Sequence, residues 1–389
     1  MDYADIAAYP ENRVGTTIRH LFSDPQFKAL LEKARELPRL FNKESLSSFF
    51  HWVRTFSSVA ELQTLMLRLI AFNLRTTSDG LSFTGGEHLH RSAAHLFLSN
   101  HRSTALDTSY MNYVLYRSGL PTAYSAAGDN LMKTAWIQHL IRLNKGFVVK
   151  RNVEGINEKL QEARRLSTYV HDLLTGGSSV WIAHRGGRAK TGDDSTDSAV
   201  LKMLTMNNTY DGFDAWTKAV HITPMTISWE QLPQDEALAR EVSGELEQTS
   251  GHRDLANILG EINGWKGRIH LAFGNRVFGA RRAEVVQTLD HQIQTNFRLW
   301  DANWLAYVRT TQLDAADRSL ILGQIDVSRA ERILDRTSIL SENARSAFLS
   351  MYAQPVRNAL KWTPGVRELI DDQNARFTDA VAVVEPSSR

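Results

Sequence analysis

The chain has 389 residues, 42% hydrophobic and 23% charged, with a formal net charge of +2 and no cysteine. That length supports a sizeable core, and the composition is that of a folded chain rather than a disordered one. So small a net charge makes no case for nucleic-acid binding, and the lack of cysteine excludes disulfides, thiolate metal sites and a cysteine nucleophile.

The first 13 residues are acidic and lack an apolar core, so no signal peptide is expected. No window holds 18 uninterrupted apolar residues; the nearest approach, Leu62 to Leu74, is broken by Arg68. The expectation is a cytoplasmic protein, soluble or peripheral at the inner face of the cell membrane. Residues 16–76 read as helices: Ile18, Leu21 and Phe22, then Phe27, Leu30, Leu31 and Ala34, recur at helical spacing, and Asp24-Pro25 marks a helix start. Leu62, Leu65, Met66, Leu69 and Ile70 form a broad apolar stripe, expected to pack on the main domain rather than face a membrane. Turn residues from Thr76 to Gly86 mark a boundary.

After that boundary strand and helix patterns alternate. Strands are predicted at His95–Ser99, Thr122–Ala126, Gly146–Lys150, Ser179–Ala183, Val220–Ser228 and Arg268–Phe273. Helices are predicted at Thr104–Ser118, Leu131–Leu143, Glu154–Leu174 and Thr196–Met206. The alternation implies an α/β fold with a largely parallel or mixed sheet flanked by helices. From Arg281 the pattern is helical, including Glu284–Leu299 and Glu342–Leu360, and the tail Val381–Arg389 reads as frayed. Three regions result: 1–76 helical, 77–280 α/β, and 281–389 helical.

Several predicted strands end in polar residues, and ligands of open α/β sheets bind outside the carboxyl ends of strands. The first ends in Asn100-His101-Arg102-Ser103, followed by Asp107. A histidine there can reach a substrate and take a proton. His101 and Asp107 are six residues apart, so they meet only if His101 precedes the helix and Asp107 lies in its first turn. Ser103 or Thr104 as the helix cap allows this. Thr104-Ala-Leu-Asp107 also fits a capping box, which would leave Asp107 a purely structural acid. A second strand runs into Lys150 and Arg151. A third runs into His184, Arg185, Gly186, Gly187, Arg188 and Lys190, where glycines let backbone approach a ligand and the cations suit phosphate. A fourth carries Pro224 and ends at Glu230.

Taken together and in order, these blocks resemble the glycerolipid acyltransferase superfamily, which includes glycerol-3-phosphate and 1-acylglycerol-3-phosphate acyltransferases. Asn100-His101-Arg102-Ser103 with Asp107 matches the family's first block, Phe147 to Arg151 the second, Trp181 to Lys190 the third in part, and Ile222 to Trp229 the fourth. Gly128 to Leu131 and Arg142 to Phe147 are similar to a bacterial branch without transmembrane helices. The resemblance covers about Leu81 to Gly274. Two features depart from it. Asp107 follows His101 by six residues instead of five, with Ser103 where that branch often has a second acid. Gly186 stands where the family has a glutamate that helps to hold the acceptor.

The resemblance implies transfer of a fatty acyl group from a thioester, acyl-CoA or acyl carrier protein, to a hydroxyl of a glycerol-phosphate-type acceptor, with no cofactor and no metal. His101 would be the general base and Asp107 would orient it. Arg151 and Arg188 would hold the acceptor phosphate, with Lys150, Arg185 and Lys190 in second rank and Gly187 in the same loop. With Gly186 in place of glutamate, the arginine site is expected to have no neighbouring carboxylate. A peripheral membrane surface is the expected partner besides the substrates, and no nucleic acid. The alternatives are a catalytically impaired lipid-binding protein or a scaffold on the same fold.

Overall fold

A computed structural model describes residues 2–32, 37–151, 153–206, 209–246 and 258–384, with the side chains of 30–32, 37 and 38 left aside. The expected apolar positions Leu30, Leu31 and Ala34 therefore lie outside the described side chains, as does the tail beyond 384.

One eight-stranded mixed sheet organises the chain, in the order β4-β3-β5-β2-β6-β7-β1-β8. The strands are β1 Leu81–Thr84, β2 His95–Ser99, β3 Tyr124–Gly128, β4 Gly146–Val149, β5 Val180–Ala183, β6 His221–Trp229, β7 Ile269–Phe273 and β8 Val381–Val384. From β2 to β6 the strands are parallel, whereas β7 runs against β6 and β1 runs parallel to β7. Every residue of β2 is buried, as a central parallel strand covered on both faces must be.

Two of these strands differ from the sequence reading. Thr76 to Gly86 holds β1 as well as a turn. The carboxyl-terminal region is not helical throughout, because Val381–Val384 pairs antiparallel with β1 as an edge strand. Isolated four-residue segments carry little periodicity, and only the partner strand makes them strands. Two short helices, Gly212–Ala219 and Asp235–Val242, were also not predicted.

The path of the chain makes a crevice. β2 leaves through the Leu106–Arg117 helix to β3 on one side, whereas β5 leaves through the helices Ser198–Leu204 and Gly212–Ala219 to β6 on the other. β2 and β5 are neighbours, so their carboxyl ends form a topological switch point. The first and third polar blocks follow these two strands directly.

The flanking regions pack onto this core. Leu62, Leu65, Ile70 and Leu74 of the Val59–Thr77 helix are buried, as the packing reading expects. Aromatic residues of the first 56 residues join Trp136, Ile137 and Leu143 in one apolar cluster. Ile6 inserts beside β4, where its carbonyl accepts from Val148 N at 2.8 Å. Residues near the amino terminus thus cover a strand edge that would otherwise invite pairing.

Candidate active site

The four residues after β2 point in four directions. The Asn100 side chain bridges to β6, accepting from Ile227 N at 2.9 Å and donating to Ile227 O at 3.1 Å. This amide continues the β2–β6 ladder one residue past the strand. Arg102 turns inward and pairs with buried Asp194 at 2.5 Å, and it donates to Gly192 O at 3.1 Å. Ser103 Oγ accepts from Leu106 N at 3.1 Å, although the helix cap itself is Ala105 and neither Ser103 nor Thr104. His101 remains at the surface of the crevice, 17% exposed.

His101 Nδ1 lies 2.8 Å from Asp107 Oδ2. Asp107 is fully buried, and the same oxygen accepts from Arg102 N at 2.7 Å and Ser103 N at 2.9 Å. Its other oxygen accepts from Trp229 Nε1 at 3.2 Å. A carboxylate held by four donors cannot rotate freely, and it presents a fixed acceptor to the imidazole. The capping-box alternative predicts bonds to backbone N–H groups alone, whereas two of the four partners here are side chains. With Nδ1 donating to Asp107, the neutral ring carries its lone pair on Nε2. That nitrogen makes no hydrogen bond among the described residues. Trp181 packs edge-on to the ring with centroids 5.4 Å apart, which fixes its plane.

The third block crosses over the first, since Ala189 N donates to His101 O at 2.8 Å. Gly187 takes a φ of +79°, and a Cβ on either Gly186 or Gly187 would meet nothing within 4 Å. The space a side chain would fill at Gly186 is open. Farther along, Gly192 has a φ of +84°, and a Cβ there would sit 2.5 Å from Met351 O. Only glycine permits that approach. Asn358 also donates to Gly192 O at 3.0 Å, so the Glu342–Ala359 helix braces this loop from behind.

The basic residues separate into distinct groups. Lys150 pairs with Asp5 at 2.7 Å and Glu162 at 3.1 Å. Arg185 pairs with Asp193 at 3.4 Å, and Lys190 pairs with Glu241. These three second-rank cations are committed to acids of the chain. Arg151 is exposed, with its backbone N donating to Asp129 Oδ2 at 3.1 Å. Its guanidinium lies against Gly128 at the end of β3, with Cζ 3.4 Å from where a Cβ would stand. Arg151 thus reaches inward from β4 to β3, still two strand spacings, or roughly 10 Å, from β2. The strands before Arg151 and Arg188 are not adjacent, because β3 lies between β4 and β5.

Arg188 shares an acid with the dyad's loop, and the expectation that it lacks a carboxylate neighbour is corrected. Its guanidinium donates to Glu261 Oε1 at 3.1 Å. Glu261 is fully buried and also accepts from Ser103 Oγ at 2.8 Å, Thr104 N at 2.9 Å and Thr104 Oγ1 at 3.0 Å. Burial raises its pKa, with Arg188 opposing. Glu261 belongs to the helical turn 258–263, outside every block of the resemblance, and no motif marks it. The roles of Trp229, the last residue of the fourth block, and of Asp194 were likewise missed, since each finds its partner only across the fold. Lys266 holds the turn that carries Glu261, donating to Ile262 O at 2.9 Å, Gly264 O at 2.6 Å and Thr77 Oγ1 at 2.7 Å.

The stretch that carries His101 and Asp107 is similar to known proteins. The model of the family Acyltransferase matches residues 80–228, which contain His101, Asp107, Arg151 and Arg188 and exclude Glu261. A glycerol-3-phosphate acyltransferase of Shewanella sp. (strain W3-18-1) is 24% identical over 57% of this chain and 26% of its own length. One from Pseudomonas syringae pv. tomato is 22% identical over 67% of this chain and 31% of its own. The chain thus spans between a quarter and a third of the length of these curated relatives. The crystal structure of the 1-acyl-sn-glycerophosphate acyltransferase PlsC from Thermotoga maritima aligns over 72% of this chain and 93% of its own, with 14% identity and a TM-score of 0.35. Residues 80–228, which carry the His101 and Asp107 pair at the carboxyl end of β2, thus match the family Acyltransferase, and the chain is similar over that stretch to glycerol-3-phosphate acyltransferases.

Proposed function

We propose that this chain transfers a fatty acyl group from a thioester, acyl-CoA or acyl carrier protein, to a hydroxyl of a glycerol-phosphate-type acceptor. The observation that carries the reading is the 2.8 Å contact between His101 Nδ1 and Asp107 Oδ2, with the opposite ring nitrogen open to the crevice. His101 Nε2 takes the proton of the acceptor hydroxyl as its oxygen attacks the thioester carbonyl carbon. The tetrahedral intermediate then expels the thiolate, which takes the proton back from Nε2. Asp107 keeps Nδ1–H throughout and stabilises the imidazolium, the task of the acid in a serine-protease triad. The acyl group stays on substrates, so the scheme needs neither an enzyme nucleophile nor a cofactor. Arg188 and Arg151 bind the acceptor phosphate, and a planar fork that bonds oxygens in pairs suits them to it.

We further propose that the chain works at a membrane surface on the inner face of the cell membrane. No helix among the described residues is long and apolar enough to cross a membrane. Five residues along the chain from Arg151, however, Ile156 is 85% exposed at the start of the Ile156–Thr175 helix. An exposed apolar side chain at a helix start fits reversible surface binding. Pelleting with anionic vesicles at low salt and release at high salt are expected. No pelleting at low salt would count against the surface role.

The decisive test is acyl transfer from one long-chain acyl-CoA to a panel of phosphorylated and unphosphorylated glycerols, read by mass spectrometry. His101→Ala is expected to lower turnover by about 10²–10⁴-fold. Asp107→Asn is expected to lower it by at least about 10²-fold through the wrong tautomer. Equal product from the wild type and His101→Ala would overturn the proposed chemistry.

A further inference from the structure

A second cleft lies away from the dyad. A cavity of about 220 Å³ opens beside Arg268, at the amino end of β7, between the helices Asp301–Thr310, Ala315–Gln324 and Val366–Arg376. Arg298 lines it and is anchored through its backbone N, which donates to Ser228 Oγ at 2.8 Å. Ser228 and Trp229 are successive residues of β6, so their side chains lie on opposite faces of the sheet. Trp229 reaches Asp107, and the Arg298 attachment is therefore on the other face.

The acids of this cavity are bonded to one of its two arginines and not to the other. Its lining holds two guanidiniums, Arg268 and Arg298, and one carboxylate, Asp301. Arg268 donates to both Glu230 and Asp301 at 2.7 Å. Glu230, behind the lining, is also paired with Arg329. The Arg298 guanidinium makes no hydrogen bond or ion pair among the described residues. Its contacts are aromatic faces, with Cζ 4.8 Å from the centroid of Trp300 and 5.5 Å from that of Phe377. Burial, and then Arg268, lower its pKa, while Glu230 and Asp301 act in the opposite sense. A half-buried guanidinium with five donors and no anion is an incomplete arrangement.

We propose that this cavity binds a small organic carboxylate, with the carboxylate on Arg298 and the apolar body against Trp304, Ile325 and Ile370. Arg268, Arg298 and Arg329 stand against Glu230, Asp301 and Asp79, so it is the unbonded fork of Arg298 rather than a net charge that selects the ligand. The guanidinium fork matches a carboxylate in two parallel bonds. The volume lies below the roughly 300–1,000 Å³ of sites for drug-sized ligands, which limits the occupant to a few carbons or one ring. A long acyl chain does not fit, so the site is separate from any acyl tunnel and does not depend on the proposed transfer reaction.

The test is calorimetric titration of the full chain with benzoate and with hexanoate, beside inorganic phosphate and hexylammonium. Saturable one-to-one binding of at least one carboxylate is expected, with no binding of hexylammonium. Arg298→Gln should weaken it at least tenfold. Gln324→Trp, at an exposed lining position, should do the same by filling the mouth, and it decides the matter if Arg298→Gln does not fold. His101→Ala should leave the affinity unchanged, which separates this site from the crevice. Absence of saturable carboxylate binding would overturn the proposal. So would tighter binding of phosphate or of hexylammonium, or an affinity that the Arg298 and Gln324 variants leave intact.

Discussion

His101 and Arg188 are brought to one place by a residue that belongs to neither of their segments. Glu261 bonds the loop after β2 through Ser103 and Thr104 and the loop after β5 through Arg188. It therefore sets how much of the Arg188 guanidinium is available to an acceptor. Glu261→Gln keeps an amide able to bond Ser103 and Thr104 but removes the charge opposite Arg188. The KM of a phosphorylated acceptor is expected to fall about threefold to tenfold, because a charged hydrogen bond is worth roughly 1.5–3 kcal/mol and only part of it is released. Arg188→Lys should move that KM the other way by a similar factor, with kcat changed little. Unphosphorylated acceptors should show neither effect. If both variants bind the phosphorylated acceptor as the wild type does, Arg188 is a structural cation.

At the scale of elements, the site depends on strand ends held in register. Asn100 ties the end of β2 to Ile227, and Trp229, two residues farther on β6, reaches back to Asp107. The other half of the sheet closes with β8, whose Val383 and Val384 are buried and whose Val383 carbonyl accepts from Arg117 of the Leu106–Arg117 helix at 3.1 Å. That helix carries Asp107 in its first turn. Val383→Asp combined with Val384→Asp is expected to cost about 2–5 kcal/mol, from two lost valine burials at roughly 1.5–3 kcal/mol each, partly relieved by local detachment. Urea unfolding measures the loss. An unchanged midpoint would show that β8 contributes nothing to the stability of the sheet.

At the scale of the molecule, buried cationic groups set the response to pH. His184, at the carboxyl end of β5, is fully buried with Nδ1 3.1 Å from Thr196 Oγ1. Burial first, and then Arg185 and Arg102, push its pKa from 6.5 down to about 3. Between these values the unfolded chain binds the proton and the folded chain does not. Stability therefore falls as the pH drops through that window, by about 2 kcal/mol between pH 7 and pH 5 for this group alone. Lys266 acts with the same sign at higher pH, since burial lowers its pKa from 10.5 to about 7, and stability rises with pH between those two values. Urea midpoints at pH 5 and pH 7 are expected to differ less in His184→Gln than in the wild type. An identical difference would assign the acid sensitivity to other groups.

The local blocks were legible because each is a strand, a polar turn and a helix start within a dozen residues. Periodicity and capping chemistry act over that range, and they located β2 to β7, while the resemblance singled out His101, Asp107, Arg151 and Arg188 among the polar strand ends. They left the role of Asp107 open between cap and dyad, since a spacing of six residues permits both. The tertiary structure resolved its partners, because Trp229 arrives 122 positions later in the chain. It also set Lys150, Arg185 and Lys190, and Arg188 too, each beside an acid, that of Arg188 being Glu261, brought to the loop where Gly186 leaves open space. β8 became a strand only by pairing with β1, about 300 positions away. Charge pairing and edge pairing are non-local contacts between ordinary residues, and no local pattern carries them.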